Sequence, residues 1–199
     1  MKKLILLIIL LELWHNGQCQ KHGGAEQYYY MGERQNFNFV PIVYYETGND
    51  WFIEGRYNYE AVKTMSVNAG KTFSKKSVLS YSASPVVGAV LGNYQGGSVG
   101  VNSDADYKKY FFSTQIQYTF SVKDKTNNFF YSWTDLSYQP LENIFTGLSV
   151  QQTNLYKEQC KFEKGVFIKA AFHKWTVPLY VFSPATKERY FVLGLNCDW

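Results

Sequence analysis

The charged residues best placed to do chemistry are Glu54, Arg56 and Glu60, in the stretch Trp51-Phe-Ile-Glu-Gly-Arg-Tyr-Asn-Tyr-Glu60. On a β-strand alternate side chains share a face, roughly 6.5–7 Å apart at i and i+2, so Glu54, Arg56, Asn58 and Glu60 project from one side. Two carboxylates flanking a reacting bond can divide acid and base roles, but one of them must hold a proton. An arginine between them keeps both ionised. The set therefore reads as an ion network that satisfies a confined interior rather than as a hydrolytic pair.

The other candidate is a histidine. Three occur, and His15 and His22 lie near the amino terminus, so a histidine-dependent mechanism in the body of the chain rests on His173 in Ala170-Ala-Phe-His-Lys-Trp175. Small membrane barrels with acyl hydrolase or transferase activity use such a base to activate a serine hydroxyl. No Gly-x-Ser-x-Gly or His-x-Glu-x-x-His arrangement accompanies His173. It reads as a hydrogen-bonded interior residue, and no catalytic residue is assigned. Gly92–Gly100 is glycine-rich but lacks the Lys-Ser/Thr ending of a phosphate loop, and reads as a turn leading into a short strand at Ser98–Ser103. Asp104-Ala-Asp106 reads as an exposed acidic loop without a full calcium ligand set. Cys160 and Cys197 fit either a disulfide or two free thiols. No metal or cofactor is assigned.

The elements that must hold these residues alternate with period two. In the stretch from Trp51, the face opposite the charged set carries Trp51, Ile53, Gly55, Tyr57, Tyr59 and Ala61. Met65, Val67, Ala69 and Phe73 oppose Ser66, Asn68, Gly70 and Thr72, with Lys71 as an exception explained by snorkelling. Leu79, Tyr81, Ala83, Pro85 and Val87 oppose serines 80, 82 and 84, and Pro85 predicts a bulge or bend. Tyr110, Phe112, Ile116, Tyr118 and Phe120 oppose Ser113, Gln115, Gln117 and Thr119. Phe129, Tyr131 and Trp133 take one side of the next strand, with Ser132 and Thr134 on the other; Leu148 and Val150 then oppose Ser149 and Gln151. Gly165–Phe182 is a long continuous segment, broken only by Lys174 and Pro178. The final row is Phe191, Leu193, Leu195, Cys197 and Trp199.

A face carrying both signs of charge cannot lie in hydrocarbon, where each charge costs about 2–4 kcal/mol near the midplane. Glu54, Arg56, Asn58, Glu60, Gln115, Gln117 and Gln151 are therefore expected to face a lumen, and the apolar rows to face lipid. Aromatics at 19% against 18% charged residues suit such a wall. A mean hydropathy of -0.29 does not suit a bundle of membrane helices. A soluble lipocalin-like barrel would reverse every face and leave the charged set in solvent.

The amino terminus has the parts of a secretory signal: Lys2 and Lys3, an apolar run Leu4–Leu13 broken by Glu12, and small residues Gly17 and Cys19. Cleavage after residue 19 takes the formal charge from +4 to +3. That charge is too small and scattered for nucleic acid. Residues 20–36 read as a periplasmic lead-in, with an extra edge strand as the alternative, and 37–199 as the barrel.

The terminal row Phe191, Leu193, Leu195, Cys197, Trp199 resembles the carboxyl-terminal signal of Gram-negative outer-membrane barrels, with Cys197 departing from the usual larger residue. The mature chain as a whole is similar to small uncharacterised barrels of that membrane, a group to which no activity attaches. The resemblance implies Phe191, Leu193, Leu195 and Trp199 as the membrane-insertion signal, the barrel assembly machinery as a partner, and outer-membrane lipid and lipopolysaccharide as surroundings. Oligomeric state stays unassigned.

The expected fold is all-β, an antiparallel up-and-down transmembrane β-barrel of about ten strands, since such barrels have even strand numbers. Eight and twelve are the neighbouring counts. Twelve follows if the long segment splits and Tyr28–Tyr30 forms a strand. The expected function is a narrow porin-like channel for small solutes. The alternatives are a lipid-modifying barrel enzyme of the lipid A acyl hydrolase or transferase type and a structural barrel without transport. Fractionation of expressed cells should recover the chain in the outer membrane with heat-modifiable gel mobility; a soluble periplasmic protein would overturn the assignment.

Overall fold

In hydrocarbon every backbone N–H and C=O must find a partner within the protein, which restricts spanning sheets to closed ones. The computed structural model describes residues 22–32, 36–155 and 160–199, and its strands meet that demand. They are β1 (His22–Gly32), β2 (Asn38–Glu46), β3 (Trp51–Tyr57), β4 (Thr64–Lys71), β5 (Phe73–Lys75), β6 (Leu79–Gly92), β7 (Gly96–Tyr107), β8 (Tyr110–Ser121), β9 (Phe129–Leu141), β10 (Ile144–Leu155), β11 (Lys161–Phe172), β12 (Trp175–Phe182) and β13 (Tyr190–Asp198). All ladders are antiparallel; β1 pairs with both β2 and β13, and the β4–β6 pairing completes the closure. β4 and β5 both lie along β6 and are two halves of one stave. The barrel thus has twelve staves, two more than the count preferred from sequence. The signal assigned to residues 1–19 lies outside the described residues.

Both extra staves come from segments where alternation is invisible. Residues 22–32, expected as a lead-in, form β1, paired from Gly24↔Asp198 to Gly32↔Tyr190 on one side and from His22↔Glu46 to Tyr30↔Asn38 on the other. Tyr28 and Tyr30 line the lumen and Tyr29 stacks on Phe39 outside. A run of one residue type on both faces carries no period. The segment from Gly165 splits at His173-Lys174, a two-residue turn between paired Phe172 and Trp175 with His173 at φ 57°.

Two further expectations change. Asp104 and Asp106 belong to β7, which runs from Gly96 to Tyr107, and the turn falls later, at Lys108-Lys109. Asn102, Asp104 and Asp106 keep one parity and line the lumen. Pro85 leaves the β6–β7 register unbroken, at Pro85↔Val101. Its effect falls on the other side, where the ladder lapses at Lys71 and Thr72 and separates β4 from β5. Proline has no N–H to donate there. A register shift does occur in the β9–β10 pair, next to Pro140.

Both described ends of the sheet closure lie at one rim, together with the turns at 47–50, 76–78, 108–109, 142–143 and 173–174. The longer connections 58–63, 122–128 and 183–189 lie at the opposite rim. Short turns on the side of the termini and longer loops opposite are the pattern of outer-membrane barrels, whose short turns are periplasmic. Cys197 sits at the termini rim and Cys160 at the other, so both thiols are free. The exterior is apolar. Trp51, Tyr110, Trp175 and Trp199 are exposed toward the termini rim, Tyr57, Phe120, Phe162 and Phe191 toward the other, and aliphatics such as Val67, Val87, Leu148 and Ile168 lie between. Lys71 pairs with Trp51 at the first rung beyond a rim turn, a position from which a lysine ammonium can snorkel to the interface.

Where the ladder lapses, the wall is tight. A Cβ on Gly70 would sit 2.0 Å from the carbonyl oxygen of Pro85, whereas one on Gly55 would have nothing within 4 Å. Gly70→Ala should destabilise the refolded barrel by about 1–3 kcal/mol. Gly55→Ala should stay within about 0.5 kcal/mol, both measured by urea unfolding in micelles.

Candidate functional site

Arg56 is the largest fully buried side chain of the barrel, 2% exposed, and it projects from β3 into the lumen. A buried guanidinium needs a counter-charge and acceptors for its fixed fork of donors. Glu54, two residues back on the same face and 6% exposed, takes Nε at 2.7 Å and Nη2 at 2.5 Å on its Oε1. Nη1 donates to Gln117 Oε1 at 2.8 Å. Gln117 is on β8, and β4, β6 and β7 separate it from β3 around the wall. The bond therefore crosses the lumen.

Local geometry adds a second bar to this plug. Asn58 has φ 58°, which ends the alternation of β3 after Tyr57 and turns Tyr59 inward, not outward as its parity predicts. The Tyr59 ring lies under the Arg56 guanidinium, 4.4 Å from Cζ to centroid, and meets Tyr131 of β9 edge-on at 5.6 Å. Gln115 turns its amide oxygen to Arg56 and its nitrogen to the Tyr59 hydroxyl, the orientation in which both ends are paired. Gln117 Nε2 donates to Thr119 at 2.9 Å and to Glu60, which folds back from the loop, at 3.2 Å. Asn68 donates to Glu54 and accepts from Ser98.

The sequence-derived polar set is thus divided. Glu54, Arg56, Glu60, Gln115 and Gln117 meet in this network. Asn58 instead holds backbone, donating to Phe39 O at 2.9 Å and accepting from Lys63 N at 2.7 Å. Gln151 stands apart, accepting from Tyr190 at 3.4 Å. His173, considered as a base, lies exposed in the β11–β12 turn, outside the wall. Phe191, Leu193, Leu195 and Trp199 point outward, and Trp199 exchanges backbone hydrogen bonds with Gly23 at 2.9 and 3.2 Å.

Opposite the polar network the lumen is filled by rings. Phe167, Tyr180, Phe182, Tyr190 and Val192 form a buried cluster joined by Tyr28, Tyr30 and Trp133. Asp135 is set against it, accepting from Ser149 at 2.6 Å and from Trp133 and Tyr180 at 2.9 Å each. Sequence reasoning assigned no inward role to Tyr131, Trp133 or Asp135. The signal was present: Asp135 and Ser137 share their parity, and a carboxylate cannot face lipid.

Two cavities flank the plug. The larger, about 760 Å³, opens at the termini rim and reaches Glu54, Tyr59 and Gln115; the smaller, about 150 Å³, is bounded by Tyr30, Asn38, Asn58, Tyr131 and Gln151. Tyr59 lines both. A closed twelve-stave antiparallel barrel, apolar outside with aromatic rims and a lumen containing cavities, is an outer-membrane porin-like β-barrel in its fold.

Solved structures share that architecture. The KdgM porin superposes with a TM-score of 0.66 over 87% of this chain and 98% of its own, at 10% identity. The NanC porin does so with a TM-score of 0.60 over 87% and 97%, at 9% identity. No family model and no curated protein sequence matches the chain.

Removing Arg56 alone should be costly, because Glu54 is left buried without its counter-charge. Arg56→Ala is expected to destabilise the barrel by about 3–5 kcal/mol in micelle unfolding. The paired exchange Arg56→Met with Glu54→Gln should cost far less.

Proposed function

We propose that the chain is an outer-membrane channel for small solutes, constricted at Arg56 and Tyr59. The observation that carries this reading is the pair of cavities meeting at Tyr59 from opposite rims, with one layer of hydrogen-bonded side chains between them. That layer spans the lumen through single side chains, so movement of Arg56, Tyr59 and Gln115 would join the two spaces. The fold shared with proteins called porins supports it, and one of these was solved with disordered oligogalacturonate. Insertion through the row Phe191, Leu193, Leu195, Trp199, delivered by the barrel assembly machinery into lipid and lipopolysaccharide, is part of the same proposal. His173, the base considered for the lipid-modifying alternative, sits in a rim turn, and the histidine that lines the larger cavity is His22.

Purified chain in planar bilayers should give discrete current steps. The Arg56→Met, Glu54→Gln variant, with the cross-lumen bond removed, should give larger ones. Absence of steps from both proteins would refute the channel.

A further inference from the structure

The larger cavity carries a charge pattern that the plug does not use. Beside Glu54, which Arg56 neutralises, its wall holds Glu26, Glu46, Asp104, Asp106, Asp135 and Asp198; the basic residues on it are Lys169 and His22. These six carboxylates come from β1, β2, β7, β9 and β13, so they surround the space instead of forming a patch on one strand. Among the described residues the ion pairs are Arg56–Glu54 and Lys161–Glu163, and none of the six takes part. Neutral hydroxyls hold most of them: Tyr28 donates to Glu26 at 3.0 Å, Thr72 to Glu46 at 2.8 Å, Ser82 to Asp104 at 3.3 Å and Tyr44 to Asp198 at 2.5 Å. Those contacts fix the carboxyl groups in place, six of them against the two basic residues Lys169 and His22.

A further observation bears on what such a space accepts. The cavity already holds one ammonium, that of Lys169, and it lies over rings, 5.6 Å from the centroid of Phe145 and 6.0 Å from that of Phe167. Other aromatic residues, Tyr28 and Trp133 among them, line the same wall.

We infer that this cavity is an electrostatic filter that concentrates small cationic solutes, inorganic or ammonium-bearing, and repels anions. Carboxylates around a lumen with low-dielectric walls focus the field on its axis and favour cations. A polyanion such as the oligogalacturonate found with one neighbour would meet like charge here. Passage of those cations rests on the channel reading; their accumulation in the cavity does not.

The test reads accumulation without current. Trp133 lines the cavity, so the chain is refolded in neutral micelles with Trp14, Trp51, Trp175 and Trp199 replaced by Phe. Quenching of Trp133 by caesium and by iodide is then compared, each normalised to free N-acetyltryptophanamide. Caesium should reach the ring several-fold more effectively than iodide, and Glu46→Gln with Asp104→Asn and Asp106→Asn should lose that difference. Asp106→Asn alone should reduce it, should the triple variant not refold. Equal quenching, or iodide in excess, in the otherwise native chain would overturn the filter. In bilayers under a potassium chloride gradient, the reversal potential should report potassium over chloride, and the opposite sign would also overturn it. Absence of current with caesium-selective quenching would refute the channel and leave the filter standing.

Discussion

Closure is the constraint on which the rest of this structure depends. A strand edge in hydrocarbon leaves a row of unpaired N–H and C=O groups, each costing several kcal/mol. In this arrangement, omitting the segment His22–Gly32 would leave such edges on β2 and β13, because each uses it as a neighbour. The seam reaches the rim through the mutual backbone bonds of Gly23 and Trp199. The terminal row is therefore both the lipid-facing side of the last stave and half of the seam that shuts the barrel.

A barrel of twelve staves encloses more space than one layer of small polar side chains can fill. Here the excess is taken up unequally. Rings from β1, β9, β11, β12 and β13 pack one sector, and the Arg56 network crosses from β3 to β8 in the other. The guanidinium suits that task because its rigid fork serves Glu54 and Gln117 at once while its face stacks on Tyr59. The partition leaves the space toward the termini rim open and lined by carboxylates, and Arg56 bridges the lumen beyond Glu54.

Legibility in the sequence followed chemistry that only one face tolerates. Around Glu54 and Arg56, at Ser66 and Asn68, at Gln115 and Gln117, and along Phe191 to Trp199, a charged or amide side alternates with an aliphatic or aromatic one, and the structure shows the same sides. Tyrosine runs defeated this reading. Tyr28-Tyr29-Tyr30 sends rings both ways, Tyr131 and Trp133 pack inward, and the apolar stretch ending at Phe182 fills both faces of β12. An aromatic side chain with a polar tip is stable against lipid and against a hydrogen-bonded lumen alike. The His173-Lys174 turn was hidden for a related reason, since neither residue is a customary turn former and the left-handed backbone at His173 leaves no mark in composition.

The sequence by itself determined the class of fold, because period two is a local term; it did not yield the inward sides of Asp104, Asp106 and Asp135. Tertiary structure alone decided the number of staves, the inward turn of Tyr59, the bond from Arg56 to Gln117 and the encirclement of one cavity by carboxylates from five strands. Those features depend on which strands become neighbours and on how wide the closed ring is. Residues 61 apart, such as Arg56 and Gln117, meet only once the wall between them has curved round.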